Sequence, residues 1–181
     1  MNATYELNNN TAEFIGHCMS SLKKHEKALH IYEAVLERRS NETSDPRTDR
    51  TLALSHENAG ICLHRLERFE EAMTKFEIAK DICNEIDDPL AASTANWLGA
   101  CFRKLKKYEH ALKNFKEAIE KRQQKTDSML ASFDKNAGIC LYKLERFEEA
   151  MTKFEITKYI YNEIGDSLAA STVYYRFLNM W

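Results

Sequence analysis

Proline and glycine are nearly missing from this chain, with two prolines and five glycines in 181 residues. So few breakers exclude a loop-rich or turn-rich β fold and point to helices. No apolar run approaches the roughly 18 residues that a membrane-spanning helix needs. Residues 1–10 (MNATYELNNN) hold neither a basic start nor an apolar stretch, so no secretory signal is expected there. The five cysteines include no Cys-x-x-Cys pair, and the six histidines include no pair four residues apart with a nearby carboxylate. Every glycine is isolated, which excludes a phosphate-cradling loop. No catalytic, cofactor or metal site is therefore expected. Neither charge sign dominates. A net charge of -2 gives no whole-protein attraction to nucleic acid or to an acidic membrane.

What is present is a register. Gly16, Gly60, Gly99 and Gly138 are each followed two residues later by a cysteine, at Cys18, Cys62, Cys101 and Cys140. The glycine spacings are 44, 39 and 39 residues, and periods of this size mark stacked supersecondary repeats. Further columns follow in register: Leu22, Leu66, Leu105 and Leu144, then the rings His25, Phe69, Tyr108 and Phe147. Next come Ala28, Ala72, Ala111 and Ala150, and four residues later Tyr32, Phe76, Phe115 and Phe154. Four residues is one helical turn, so each alanine and its aromatic share a face.

Each repeat then reads as two helices joined by a short polar turn. The first helix carries glycine, cysteine and leucine, and the second carries alanine and the aromatic. A mid-helix glycine costs roughly 1 kcal/mol against alanine, so a repeated one implies a neighbour touching the backbone. The expectation is that glycine and alanine let the two axes approach, while the aromatic fills the space between one pair and the next. The cysteines are expected to be small, buried, reduced packing residues. Asp49, Asp88, Asp127 and Asp166 are expected to cap first helices, with Pro89 at a first helical position and Gly165 ending the helix before it. The first repeat has Tyr5 in the aspartate column and Asn8, Asn9 and Asn10 inside its helix, so a frayed or short helix is expected there. Residues 40–48 (SNETSDPRT) read as a solvent loop that accounts for the longer first spacing.

These columns resemble the tetratricopeptide repeat, whose small residue, leucine, aromatic, alanine, aromatic and second small residue (Val35, Ala79, Ala118 and Thr157) recur here. The resemblance covers roughly residues 10 to 172. It implies an all-α fold, a right-handed α-solenoid of four helix pairs plus a C-terminal capping helix. The expected organisation is one domain over 1–181, with repeats at about 5–40, 49–87, 88–126 and 127–165 and the last helix at 166–181. The period of 39, rather than the usual 34, resembles the variants of adaptors that bind extended peptides and of ciliary scaffolds such as the outer dynein arm docking complex.

The resemblance implies a non-catalytic scaffold or adaptor that binds a protein or an extended peptide, in the cytoplasm. The alternatives are a structural part of a large assembly, such as the ciliary axoneme, or an accessory module that positions an enzyme. The cytoskeleton and cilium are the narrower settings. In such a fold the first helices line the binding groove, which places Glu13, His17, Ser20, Ser21, Glu57, Ile61, His64 and Arg65 there, followed by Asn96, Ala100, Arg103, Lys104, Lys135, Ile139, Tyr142 and Lys143. The later positions are basic, so an acidic or amphipathic peptide is the expected ligand, its carboxylates on Arg103, Lys104 and Lys143. A chaperone carboxylate clamp is not expected, because Glu13/His17 and Glu57/Ile61 stand where its cations and asparagines would be. The aromatic end (Tyr174, Tyr175, Phe177 and Trp181) offers a face for self-association.

Residues 58–94 and 136–172 align without gaps and differ at only seven of 37 positions: 64, 65, 79, 81, 83, 87 and 89. The offset of 78 is two repeats, so the unit copied is a pair. A recent duplication accounts for this, and both copies could present one surface to a repeating partner.

Overall fold

Buried positions recur along each helix at helical spacing. Ala111, Leu112, Phe115, Ala118 and Ile119 line one face of Tyr108–Glu120, and residues one, four, seven and eight apart form one apolar stripe. The computed structural model describes residues 9–39, 46–122 and 125–171. Among the described residues there is no strand, and the helices α1 (Asn9–Ser21), α2 (His25–Arg39), α3 (Pro46–Arg65), α4 (Phe69–Glu85), α5 (Leu90–Lys104), α6 (Tyr108–Glu120), α7 (Ser128–Lys143) and α8 (Phe147–Glu163) follow in order. Residues 167–171 open a further helix. The fold is all-α. The aromatic end, residues 172–181, lies outside the described residues, and so do Tyr5 and Asn8.

The chain divides into two compact units, Met1–Leu90 and Ala91–Trp181. Each contains one odd and one even repeat. In the first, α1 packs on α2, α2 on α3 and α3 on α4; in the second, α6 packs on α7 and α7 on α8.

The glycine column explains each helix pair, although not in the expected way. A Cβ at Gly60 would stand 2.7 Å from Phe76 Cε1, and one at Gly99 the same distance from Phe115 Cε1. At Gly16 the nearest atom is Tyr32 Cζ at 2.8 Å, and at Gly138 it is Phe154 Cε1 at 3.0 Å. The ring therefore lies over the glycine of its own pair instead of filling the gap to the next one. Glycine is needed because a large ring, and not a helix backbone, occupies the place of its side chain. Ala28, Ala72, Ala111 and Ala150 are fully buried, as expected of close contacts. Cys62, Cys83, Cys101 and Cys140 are buried free thiols, whereas Cys18 is exposed.

The helix ends follow capping chemistry. Asp127 accepts from Met129 N at 3.1 Å and Leu130 N at 3.0 Å. Asp88 accepts from Leu90 N, and Asp166 from Ala169 N. Asp49 does not cap. It lies inside the first turn of α3, which begins three residues earlier at Pro46, a residue pre-shaped for a helix start. Among the described residues α1 covers Asn9–Ser21 and so includes Asn9 and Asn10.

The turns inside each pair hold a feature that the residue types hide. Lys23, Glu67, Lys106 and Glu145 have φ near +60°. The next amide closes the turn: Arg68 N donates to Leu63 O and Arg146 N to Leu141 O, each at 2.9 Å. This six-to-one bond is the Schellman ending, whose left-handed residue is usually glycine.

Candidate functional site

Two kinds of charged group face the first helices: those answered inside the fold and those left open. In the first unit Arg39 and Glu13 answer each other. The Arg39 guanidinium, 6% exposed, donates to Glu13 Oε1 at 3.0 Å and to Thr51 Oγ1 at 2.8 Å. Ser55 Oγ donates to the same Glu13 oxygen at 2.8 Å. One network thus ties α1, α2 and α3 together. Glu57 is buried as well, so neither acid of the expected groove offers an open carboxylate. His17 Nε2 lies 3.5 Å from Asn58 Nδ2, and its ring meets Tyr32 edge-on. His64 is half-buried with its ring edge-on to Phe69, and Arg65 is exposed.

The second unit differs. Asn136 Nδ2 donates to Asn96 Oδ1 at 3.0 Å and links α7 to α5. About two turns further along α5 stand Arg103, half-buried, and Lys104, exposed. Arg103 Nε is buried without a hydrogen-bond partner among the described residues. The guanidinium lies close enough to the Cys140 thiol to oppose the upward push of burial, which still takes that thiol to about 12. On α7, Tyr142 meets Phe147 edge-on at 5.6 Å, and Lys143 Nζ sits 5.7 Å over the Tyr142 ring. Lys135 is half-buried. Of the expected groove residues, Ala100 is 6% exposed and offers no side chain to a ligand.

Two further carboxylates are paired inside the second unit. Asp134 receives Lys153 Nζ at 2.7 Å. Asp127 is held by Arg122 as well as by its cap bonds, and the guanidinium draws its carboxyl below the ordinary value. Neither network was expected from the sequence. One signal for them existed: Arg39 and Arg122 both stand 23 residues after a glycine, in odd repeats, where even repeats carry Cys83 and Tyr161.

Among the described residues no group of histidines, cysteines and carboxylates could hold a metal ion, and no helix is long and apolar enough to cross a membrane.

Residues 51–124 match the family model of the tetratricopeptide repeat. No curated protein sequence matches the chain. Solved structures share the fold at low identity. The apo form of RapI superposes with a TM-score of 0.85 at 15% identity, over 94% of this chain and 62% of that one. Aspartyl phosphate phosphatase F from Bacillus subtilis gives 0.83 at 17% identity, over 91% and 43%. A putative kinesin light chain of Podospora anserina, with nearly identical repeats, gives 0.78 at 11%, over 96% and 88%. The chain thus spans less than two thirds of the length of the first two.

Proposed function

We infer that this chain, built of tetratricopeptide repeats, is a non-catalytic protein-recognition module whose second unit grips an acidic stretch of extended peptide. Repeats of this kind generally bind proteins or peptides. The observation that carries the acidic preference is the half-buried Arg103 on α5, whose Nε is buried without a hydrogen-bond partner among the described residues. Arg39 is ion-paired with Glu13 and Asp134 with Lys153 inside the fold. Arg103 Nε has no such partner among those residues. A half-buried guanidinium in that state favours an incoming carboxylate, which it can receive through a bidentate, charge-assisted pair. Lys104, next to it on α5, and Lys143, on α7, are exposed and would steer acidic partners. Asn96 and Asn136, already bonded to each other, supply amides for a peptide backbone, and Lys135 and Tyr142 complete the surface.

His64 and Arg65 belong to the first unit, and they make a secondary contribution. The free thiols fit a reducing compartment such as the cytoplasm, and a cytoskeletal assembly is the narrower setting we propose for it.

The test uses labelled dodecapeptides rich in glutamate and aspartate, with lysine-rich and uncharged controls, measured by fluorescence anisotropy. The acidic peptides should bind, and binding should weaken as salt rises. The double substitution Arg103→Glu with Lys104→Glu should weaken it at least tenfold without moving the melting temperature. Equal affinity for all three peptide classes, or an unchanged affinity in the folded double variant, would contradict the reading.

A further inference from the structure

Just before the near-identical stretch, repeats two and four part company. His56 and Asp134 share one register position, four before the glycine, and Lys75 and Lys153 share another, fifteen after it. In repeat four the lysine meets a carboxylate, since Lys153 Nζ donates to Asp134 Oδ1 at 2.7 Å and the aspartate side chain is 3% exposed. In repeat two the position of that aspartate holds an imidazole instead. His56 Nδ1 is buried with no hydrogen-bond partner among the described residues, and Lys75 acts on the ring as a like charge. One hairpin is closed by an ion pair. The other is closed around a half-buried ring whose charged form is disfavoured by burial and by Lys75.

We propose that His56 beside Lys75 is an acid-operated release built into the α3–α4 hairpin, so that protonating His56 loosens the first unit while the α7–α8 hairpin, carrying Asp134 at that position, stays closed.

The groups around the ring support this direction. α3 packs on α4 and on α2. From α4 the charge on His56 is Lys75. From α2 and α1 the charges that reach α3 are Arg39, on Thr51, and Glu13, on Ser55. These two are bonded to each other, and Ser55 lies about 100° around the helix from His56. Glu57 follows on α3 itself and is buried. Burial first, and Lys75 second, hold the His56 ring at about 4, below its ordinary 6.5.

The sign follows from linkage. Between those values the unfolded chain binds a proton that the folded chain refuses, so stability rises with pH in that window. The contribution is complete above 6.5 and is lost as pH falls toward 4. At pH 5 the linkage relation gives about a 30-fold rise in the opening constant of α3–α4.

The experiment is hydrogen–deuterium exchange on the full chain at pH 8 and pH 5, corrected for intrinsic rates, reading peptides from 46–85 and from 128–163. Wild type should show the roughly 30-fold extra opening in 46–85, and His56→Asn should reduce it to about threefold or less. An equal pH response in wild type and His56→Asn would overturn the proposal. Should that variant fail to fold, the carbon-bound ring protons of wild-type His56, followed by NMR, decide the matter. A midpoint near 4 supports the release, and a midpoint at the ordinary 6.5 overturns it.

Discussion

The ring of Phe115 on α6 occupies the place that a side chain at position 99 of α5 would need, since a Cβ built on Gly99 stands 2.7 Å from Cε1 and 2.8 Å from Cδ1. Phe115 is fully buried, so it cannot swing into solvent to make room. Helix propensity favours alanine over glycine by roughly 1 kcal/mol, whereas overpacking a filled core costs about 1–3 kcal/mol. The clash should win. Gly99→Ala is expected to lower stability by about 1–2 kcal/mol and Gly99→Ile by more, both read from chemical denaturation. Phe115→Leu combined with Gly99→Ala should be less harmful than the sum of the two, as touching residues couple. Strict additivity would contradict the contact.

Asp87 and Gly165 occupy equivalent positions in the two copies, and both have positive φ, at 51° and 78°. Aspartate tolerates the left-handed region only at a cost that glycine avoids. Asp87→Gly should therefore stabilise the chain by about 0.5–1 kcal/mol, although it removes a side chain. The reverse change, Gly165→Asp, should destabilise by a similar amount. Thermal melts followed by circular dichroism test both.

Glu13 accepts from both Arg39 and Ser55. Removing the acid leaves a guanidinium that is 6% exposed without its counter-charge. Breaking a buried pair from one side costs about 3–5 kcal/mol, whereas replacing both partners with apolar residues is often neutral. Glu13→Ala is therefore expected to cost about 3 kcal/mol, and Glu13→Leu combined with Arg39→Met should cost clearly less than Glu13→Ala alone. Equal losses would show that the pair does not tie α1 to α2 as described.

Asp127 caps α7 through two backbone amides and is paired with Arg122. Its carboxyl is held below the ordinary 3.8, chiefly by Arg122, so the stability it adds is present above that value and disappears as pH falls through the lowered one. Asp127→Ala should cost about 1–2 kcal/mol at pH 7. Asp127→Asn keeps the cap and loses the charge, so it should cost less and flatten the acid limb of the stability curve.

The helix pairs were legible because steric need and residue type coincide. Only glycine fits under Phe76 or Phe115, so the column at Gly60 and Gly99 could be seen without coordinates. The place of the ring was misjudged because spacing gives a shared face, not which neighbour that face meets. The left-handed turns at Lys23 and Glu67 stayed hidden because neither residue signals positive φ. Asp49 looked like a cap by register, but Pro46 starts the helix earlier. The internal networks were missed for a different reason. Arg39 and Arg122 recur every second repeat, so a search at single-repeat period averages them against Cys83 and Tyr161. For the candidate site, residue identity placed cations on α5 and α7. That Arg39 is ion-paired to Glu13 inside the fold, while Arg103 is only half-buried, depends on side-chain geometry, which no spacing conveys.

The most direct measurement is a chemical-shift titration of the isotope-labelled chain with an acidic dodecapeptide. Shifts should concentrate on α5 and α7, at Asn96, Arg103, Lys104, Lys135, Tyr142 and Lys143, and should vanish with Arg103→Glu and Lys104→Glu. Saturable shifts centred on α6 and α8, or no saturable shifts with any peptide, would contradict the account.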